Sequence, residues 1–310
     1  MSKRPGLIEA EKAPVAVVIP TYNRGSAVVS VLEKVLACDP QPSEIWVHID
    51  QNDGVLERHL MERFPGIRIL TSTGRLGPGG GRHRCLLACG APYAVSLDDD
   101  SWPVDADFFA KIEPLFSRYP RAAIFGASIW HRAEAEIPRS RAVRRVASYV
   151  GCGHAMRVAA YRDIRGYLAR PMAYAIEEGD VGLQLFVRGW QVCSAGELRV
   201  YHDTDRTHHE AAEVTASTIT NLALLAFLHY PAMDLGRGAA QVANRVAYSV
   251  RRGRTRGVAS GVGGILMECY RNRALRAPIS HEVLMEYLRL RQSEADPITD
   301  SGAAVFEARV

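Results

Sequence analysis

The chain has 310 residues, of which 47% are hydrophobic and 23% are charged, and its formal net charge is +4. This composition is typical of a soluble globular protein and excludes a disordered chain or a small disulfide scaffold. A chain of this length buries about three quarters of its unfolded surface, so one large domain or two ordinary domains are expected.

Short apolar strands alternate with helical stretches in the first two hundred residues. Strands are predicted over Val15 to Ile19, Glu44 to Ile49, Ile67 to Leu70 and Tyr93 to Leu97. Helices are predicted over Ser26 to Ala37 and Leu56 to Phe64, where apolar residues recur with a helical period. This alternation predicts an α/β fold with a mostly parallel sheet flanked by helices, whose ligands bind at the carboxyl ends of the strands.

The second half of the chain has a different pattern. A helix is predicted to begin near Asp105, and residues 132–147 are predicted to form an exposed loop or short helix near the site. Beyond Asp205 the pattern is helical, with candidates over Thr215 to His229, Gly238 to Arg252, Val262 to Arg276 and His281 to Gln292. We therefore divide the chain into an α/β domain, residues 13–205, and a C-terminal helical region, residues 206–310.

Six cysteines occur without a Cys-x-x-Cys pair, and the first residues lead into no apolar signal segment. We therefore expect a reduced, cytosolic protein. Cys85 and Cys89 lie near His83, which suggests either a metal-binding face or one helical turn of buried thiols, and packing is the preferred interpretation. No apolar run approaches the roughly 20 residues that span a bilayer.

Residues 235–267 contain six arginines and no acid. Basic side chains interleaved with Val, Leu and Tyr suit a contact with anionic lipid, and the alternative is a solvated helical face. Nucleic acid is not an expected partner, because no recognised binding motif or row of aromatics accompanies the arginines.

Three consecutive aspartates, Asp98, Asp99 and Asp100, follow the apolar run that ends at Leu97. In an extended segment Asp98 and Asp100 project together while Asp99 points away. Two like charges at about 4 Å cost on the order of 4 kcal/mol at an effective dielectric near 20, and a hard divalent cation removes that cost. The aspartates therefore indicate a metal site, and the alternative is an acidic turn or helix cap.

Five segments carry polar residues where strands end or a helix begins: Pro20-Thr21-Tyr22-Asn23-Arg24, Asp50, Gly79-Gly80-Gly81-Arg82, the three aspartates, and Glu177-Glu178-Gly179-Asp180. Their order and spacing resemble family 2 glycosyltransferases of the Rossmann-like GT-A fold, over about residues 13 to 205. The resemblance implies that this domain is catalytic, that its N-terminal sheet holds a nucleotide-sugar donor, and that Mn²⁺ or Mg²⁺ holds the diphosphate.

On this resemblance, the nucleotide-sugar-binding residues are Pro20, Thr21, Tyr22, Arg24, Asp50, Arg82, Asp98 and Asp99. Asp50 corresponds to the acid that pairs with the base, although Gln51-Asn52-Asp53-Gly54 replaces the family's usual Asp-Gly-Ser. Arg82 corresponds to a permanent cation facing the base or diphosphate. The implied metal ligands are Asp98, Asp100 and His202, and four nearby residues are alternatives to His202: Asp203, Asp205, His208 and His209.

The resemblance places Glu178 at the position of the general base. The family usually has aspartate there, so Glu177 and Asp180 remain alternatives. A base must lie within hydrogen-bond reach of the acceptor hydroxyl, opposite the leaving group, so that displacement inverts the anomeric centre. Acids in a first helical turn can also serve only to favour the helix dipole.

The expected function is an inverting, metal-dependent transfer of a sugar from a UDP or dTDP donor to a hydroxyl acceptor in bacterial glycan biosynthesis. The acceptor is a glycan, a lipid-linked glycan or a small metabolite, and relatives include rhamnosyl-type transferases of surface polysaccharides. The basic C-terminal helices suggest a peripheral contact at the inner face of the plasma membrane. One alternative is an inactive nucleotide-sugar-binding or scaffolding protein of the same fold. An NAD enzyme is disfavoured because Arg82 replaces the third glycine of a dinucleotide fingerprint.

Overall fold

A computed structural model describes residues 12–52, 54–132, 134–172, 174–204, 211–292 and 296–297. Its strands are β1 (Ala13–Thr21), β2 (Pro42–Ile49), β3 (Arg68–Thr71), β4 (Tyr93–Leu97), β5 (Ser101–Pro103), β6 (Ala122–His131), β7 (Val143–Val146), β8 (Gly153–Arg157), β9 (Gln191–His202) and β10 (Asp296–Pro297). Its α-helices are α1 (Gly25–Leu36), α2 (Val55–Arg63), α3 (Gly77–Ala88), α4 (Ile112–Arg118), α5 (Val158–Arg162), α6 (Glu177–Val187), α7 (Ala212–His229), α8 (Leu235–Arg251), α9 (Val258–Arg271) and α10 (His281–Gln292).

The strands form one mixed sheet in the order β10-β7-β9-β6-β8-β4-β1-β2-β3, and β5 pairs with β9. Pairing is parallel from β4 through β1 and β2 to β3, and again between β6 and β9. The other pairs are antiparallel. The predicted α/β fold with flanking helices and a helical C-terminal region is confirmed, and the antiparallel strands belong to the part of the sheet that the sequence pattern did not resolve.

Both faces of β1 are buried, which explains its continuous apolar sequence. Val17 and Ile19 belong to the core that includes Val31 and Leu32 of α1. Val18, on the opposite side of the strand, belongs to a second core with helix α3 and the strands around it. Alternate residues of one strand thus anchor helices on both faces of the sheet, which fixes the carboxyl end of β1 at residue 21.

Two local predictions need correction. Residues 132–147 contain a strand, because β7 pairs antiparallel with residues 192–195 of β9. The helix expected near Asp105 begins later, with a short 3-10 turn at Phe109–Lys111 followed by α4. Cys85 and Cys89 are buried in the second core, where burial raises the pKa of their thiols to about 12 and about 11.

Helices α7 to α10 pack against the sheet domain and against each other. Asn221 of α7 donates hydrogen bonds to the carbonyls of Met172 (3.0 Å) and Tyr174 (2.9 Å). His229, at the end of α7, bonds Asp180 of α6 at 2.6 Å. No helix within the described ranges is long and apolar enough to cross a membrane. The boundary at residue 205 stays a prediction.

Candidate functional site

A cavity of about 720 Å³ opens where β1, β2 and β4 end and α6 begins. Most of the predicted site residues line it: Pro20, Thr21, Tyr22, Arg24, Asp50, Arg82, Asp98, Asp99, Asp100, Glu177, Glu178 and His202. Parallel strands end at the same edge of a sheet, so residues far apart in sequence meet there. Asp180 is not among the described residues of the lining.

The three aspartates leave β4 in a turn rather than in an extended segment. Ser101 holds this turn, since its hydroxyl accepts a hydrogen bond from the backbone N–H of Asp98 (2.8 Å) and donates one to the carbonyl of Cys152 (2.6 Å). The prediction that Asp99 points away from its neighbours is therefore wrong, and all three side chains reach the cavity.

Arg24 bridges Asp99 and Asp100. Its Nη1 atom donates to Asp99 Oδ1 at 3.0 Å and to Asp100 Oδ2 at 2.8 Å, and the Thr21 hydroxyl donates to Asp99 Oδ2 at 2.8 Å. Burial raises the pKa of Asp99 to about 6, although Arg24 and Thr21 act in the opposite direction. Asp100 is also buried, but its contacts with His202 and Arg24 hold its pKa below the ordinary value.

Arg82 lies below the cavity with 2% of its surface exposed. Its Nε donates to the hydroxyl of Ser96 at 2.8 Å, Nη1 donates to Glu177 Oε2 at 2.8 Å, and Nη2 donates to Asp98 Oδ1. Each donor group of the guanidinium therefore has a partner in the protein. Arg82 was expected to face the base or diphosphate, whereas in the structure its charge is directed at Asp98 and Glu177.

Asp50 holds the start of helix α3. Its Oδ1 accepts hydrogen bonds from the Ser72 hydroxyl (2.7 Å) and the Leu76 N–H (2.9 Å), and its Oδ2 accepts one from the Gly77 N–H (2.9 Å). Oδ2 retains one acceptor position, and Asp50 lines the cavity. Gly77 has φ +73°, and an added Cβ would meet the backbone of Arg170, so this close approach requires glycine.

The three acids of α6 have different environments. Glu177 is buried, with Oε1 on the Gly79 N–H and Oε2 on Arg82. Burial raises its pKa, and the charge of Arg82 acts in the opposite direction. Glu178 is half-buried and lines the cavity, and no described side chain donates a hydrogen bond to it. Burial raises its pKa as well.

Asp180 does not fit the role of the base. Both of its oxygens accept a bond from Nη2 of Arg165 at 2.7 Å, and Oδ1 also contacts His229 Nε2 at 2.6 Å. Residues two positions apart on an α-helix are rotated by about 200°, so Asp180 faces the opposite side from Glu178. This expectation is corrected: Asp180 links α6 to α7 and lies outside the cavity lining.

The residues around His202 fit a divalent cation in part. Ligand atoms of Asp98, Cys152 and His202 lie within 4.8 Å of one another. Carboxylate and imidazole suit Mn²⁺ or Mg²⁺, whereas a thiol is a soft ligand, and burial raises the pKa of Cys152 well above its ordinary value. Asp100 was expected to be a metal ligand, but both of its oxygens are engaged in the protein. Oδ1 contacts His202 Nε2 at 3.1 Å, and Oδ2 accepts a bond from Arg24.

The charge of the cavity also favours a cation. Seven acids line it: Asp50, Asp98, Asp99, Asp100, Glu177, Glu178 and Asp203. Only three arginines among the described residues do so: Arg24, Arg75 and Arg82. A diphosphate entering this excess of acids is repelled unless a cation comes with it. Of the alternatives to His202, Asp203 lines the cavity and is paired with Arg132, and the other three lie outside the described residues.

Sequence reasoning missed several lining residues that loops bring to the cavity. Arg75 stacks over the ring of Tyr22, with its Cζ 4.4 Å from the ring centroid. Cys152 and Gly151 precede β8, and Tyr174 follows the loop held by Asn221. No local pattern marks these positions, because the strands and helices that flank them determine where they lie.

The fold and cavity define an α/β protein with a candidate ligand site at the carboxyl ends of parallel strands. Residues 16–158 match the family model described as Glycosyl transferase family 2. The chain is therefore similar to this family over that segment, which is just under half of its length. The match includes Thr21, Asp50, Arg82 and Asp98 and ends before Glu178. No curated protein sequence is significantly similar to the chain.

Solved structures with similar folds include three complexes with a nucleotide or a nucleotide-sugar. The mannosyltransferase PcManGT from Pyrobaculum calidifontis, in complex with GDP-Man and Mn²⁺, aligns with TM-score 0.54 and 13% identity over 94% of this chain and 91% of that chain. S. aureus TarS 1-349 with UDP-GlcNAc aligns with TM-score 0.58 and 14% identity over 90% and 89%. GalNAc-T7 with UDP, GalNAc and Mn²⁺ aligns with TM-score 0.55 and 11% identity over 78% and 58%. These likenesses show the GT-A fold.

Proposed function

We propose that the protein transfers a sugar from a UDP or dTDP donor to a hydroxyl acceptor with inversion at the anomeric carbon. The position of Glu178 carries this proposal. It is the acid of α6 that lines the cavity without an arginine partner, whereas Glu177 is paired with Arg82 and Asp180 with Arg165. A half-buried carboxylate without a paired cation can accept the proton of an acceptor hydroxyl.

The donor is proposed to lie between β1 and the start of α3. Tyr22, supported by Arg75, offers a ring face for the base, and Asp50, which retains one acceptor position, lines the same cavity. The aspartate turn is nearest to the ribose and diphosphate in this arrangement. Relatives of this fold bind GDP-Man or UDP-GlcNAc, so GDP is the comparison that tests our choice of base.

Asp98 and His202 would hold a divalent cation, with Asp100 orienting the imidazole. An outer carboxylate that bonds a ligating histidine fixes its ring and its tautomer. When bound, Mn²⁺ or Mg²⁺ neutralises negative charge that develops on the departing diphosphate. The protein side of the reaction consists of orienting the donor, excluding water and taking the acceptor proton at the Glu178 carboxylate.

A thermal-shift panel tests this proposal directly. UDP, dTDP, GDP and NAD are each added with and without Mn²⁺, because a ligand at 100 times its Kd stabilises the folded state by about 2.7 kcal/mol. We expect UDP or dTDP to raise the melting temperature in a metal-dependent way, and Asp98→Asn to lose that increment while the exposed control Asp163→Asn keeps it. No response to any diphosphate, or a response to NAD alone, would contradict the proposal; a response to GDP alone would reject the UDP or dTDP donor.

A further inference from the structure

Helix α9 exposes a continuous apolar face. Val262, Leu266 and Tyr270 lie one turn apart and expose 47%, 83% and 62% of their surfaces, and Met267 beside them exposes 53%. Single exposed apolar residues are ordinary, but a row of them along one helix marks an interaction surface. We call these four residues the α9 stripe.

The opposite face of α9 is fully used in packing. Gly261 is buried, and a Cβ added there would meet Ala216 and Ile219 of α7 at about 3 Å. Glu268 faces the sheet domain, where its carboxylate accepts a bond from Arg170 Nη1 at 2.6 Å. Because the inner face is fixed in this way, the α9 stripe cannot turn inward without losing these contacts.

Arginines bound the α9 stripe at both ends. Arg251, Arg252 and Arg256 are exposed in the segment that joins α8 to α9. At the other end Arg273 stacks on Tyr270, with its Cζ 4.1 Å from the ring centroid. Residues 235–267 contain no acid, and Glu268, the one acid of α9, is paired with Arg170 and Arg271.

We propose that the α9 stripe and its flanking arginines form a docking surface for an anionic lipid bilayer. Apolar side chains on one helix face enter the boundary between headgroups and acyl chains, while arginines at the ends contact lipid phosphates. A second copy of the chain fits this surface less well, since a two-fold contact would bring the two sets of arginines together without acids to balance them.

This surface is connected to the cavity wall. Arg170, which is paired with Glu268, precedes Pro171 and Met172 of the cavity lining. Asn221 of α7 holds the carbonyls of Met172 and Tyr174. A bilayer on α9 therefore lies against the same helical unit that supports the cavity. On the proposed function, this arrangement favours a lipid-linked acceptor, whereas the lipid contact itself does not depend on that function.

Vesicle co-sedimentation of the full chain, without donor or acceptor, tests the proposal. Vesicles contain phosphatidylcholine alone or phosphatidylcholine mixed with phosphatidylglycerol. We expect the protein to bind to the anionic vesicles only. Its partitioning onto them should fall by about tenfold or more in two variants. The apolar variant combines Leu266→Glu with Tyr270→Glu, and the arginine variant combines Arg251→Gln, Arg252→Gln and Arg256→Gln. The matched control Met61→Glu, at a residue 58% exposed on α2, should bind like the wild type.

Three results would overturn the proposal: no binding to anionic vesicles, equal binding to neutral vesicles, or unchanged binding of both variants. A dimer in light scattering that Leu266→Glu with Tyr270→Glu dissociates, without any lipid binding, would assign the face to a second copy. The melting temperature of each variant shows whether it is folded. If the apolar variant does not fold, the result for the arginine variant tests the proposal. Donor-induced thermal shifts in the same samples keep a failure here separate from a failure of the proposed function.

Discussion

Arg82 and Glu177 connect the two helices that form the floor of the cavity. Nη1 of Arg82 on α3 donates to Oε2 of Glu177 on α6 at 2.8 Å, and the side chains expose only 3% and 5% of their surfaces. Since Arg82 also pairs with Asp98, one cation holds the first residue of the aspartate turn and the first residue of α6. The spacing between the aspartate turn and the start of α6 depends on this arginine.

Removing Arg82 should destabilise the protein strongly. Arg82→Met leaves two carboxylates near the cavity floor without their cation, and breaking a buried pair in this way costs about 3 to 5 kcal/mol. Denaturant unfolding measures the change. Arg58→Met, at an exposed position on α2, is the matched control and should change stability by less than about 0.5 kcal/mol. An equal effect of the two substitutions would contradict the role of Arg82.

Asp180→Asn should lower stability and leave the chemistry intact. Asp180 binds Arg165 and His229 outside the cavity, so its neutral analogue loses a buried ion pair without changing the reacting groups. We expect a lower melting temperature and a rate of nucleoside-diphosphate release, per folded molecule, close to that of the wild type. A loss of release with unchanged stability and donor binding would instead place Asp180 in the catalytic machinery.

Manganese binding should depend on Asp98, His202 and Asp100 but not on Cys152. Asp98→Asn and His202→Ala each remove a hard or borderline ligand, and Asp100→Asn removes the partner of His202, a change that typically weakens metal binding about 10- to 100-fold. Cys152→Ser removes only a thiol that burial keeps protonated. A Mn²⁺ titration, monitored by electron paramagnetic resonance, measures the metal affinity of all four variants. Loss of affinity in Cys152→Ser would assign the thiol to the metal site.

Asp99 should make stability depend on pH. Its pKa in the folded protein is about 6, above the ordinary aspartate value, so the folded state binds more protons than the unfolded state between about pH 4 and 6. The free energy of unfolding therefore falls as pH rises through this window, by up to about 3 kcal/mol for two pKa units. Metal-free Asp99→Asn should lack this component and Asp163→Asn should retain it. If the free energy of unfolding of the wild type rose with pH relative to that of Asp99→Asn, the prediction would be contradicted.

The sequence predicted the parts of the molecule that depend on local patterns. Tyr93 to Leu97 and the helix from His281 to Gln292 agree with the structure residue for residue. The parallel strand ends also placed Thr21, Asp50 and the aspartates at one edge, as the topology requires. The error at Asp99 arose because two hydrogen bonds turn the chain immediately after Leu97: the Asp98 N–H donates to the Ser101 hydroxyl, and the Ser101 N–H donates to the Asp98 carbonyl.

Other parts of the site depend on contacts that no local pattern encodes. Cys152 reaches the cavity because β8 pairs with β4. Arg75 reaches it because Asp50 holds the segment before α3. The short strand β7 was missed because its neighbours in sequence are polar, while its partner β9 lies about 50 residues later. The separation of Glu178 from Asp180 follows from helical geometry once α6 is known to begin at Glu177.

The most direct test of the central claim is the effect of Glu178→Gln on transfer and on donor binding. We measure release of nucleoside diphosphate from UDP- and dTDP-sugars and donor affinity by calorimetry, with Glu113→Gln, an exposed position on α4, as the matched control. The account predicts that Glu178→Gln releases nucleoside diphosphate about 10²- to 10⁴-fold more slowly, with donor affinity unchanged. It also predicts that the wild-type rate declines at low pH through a pKa above the ordinary glutamate value, because burial raises the pKa of Glu178. Full release by Glu178→Gln would contradict the assignment of Glu178 as the base.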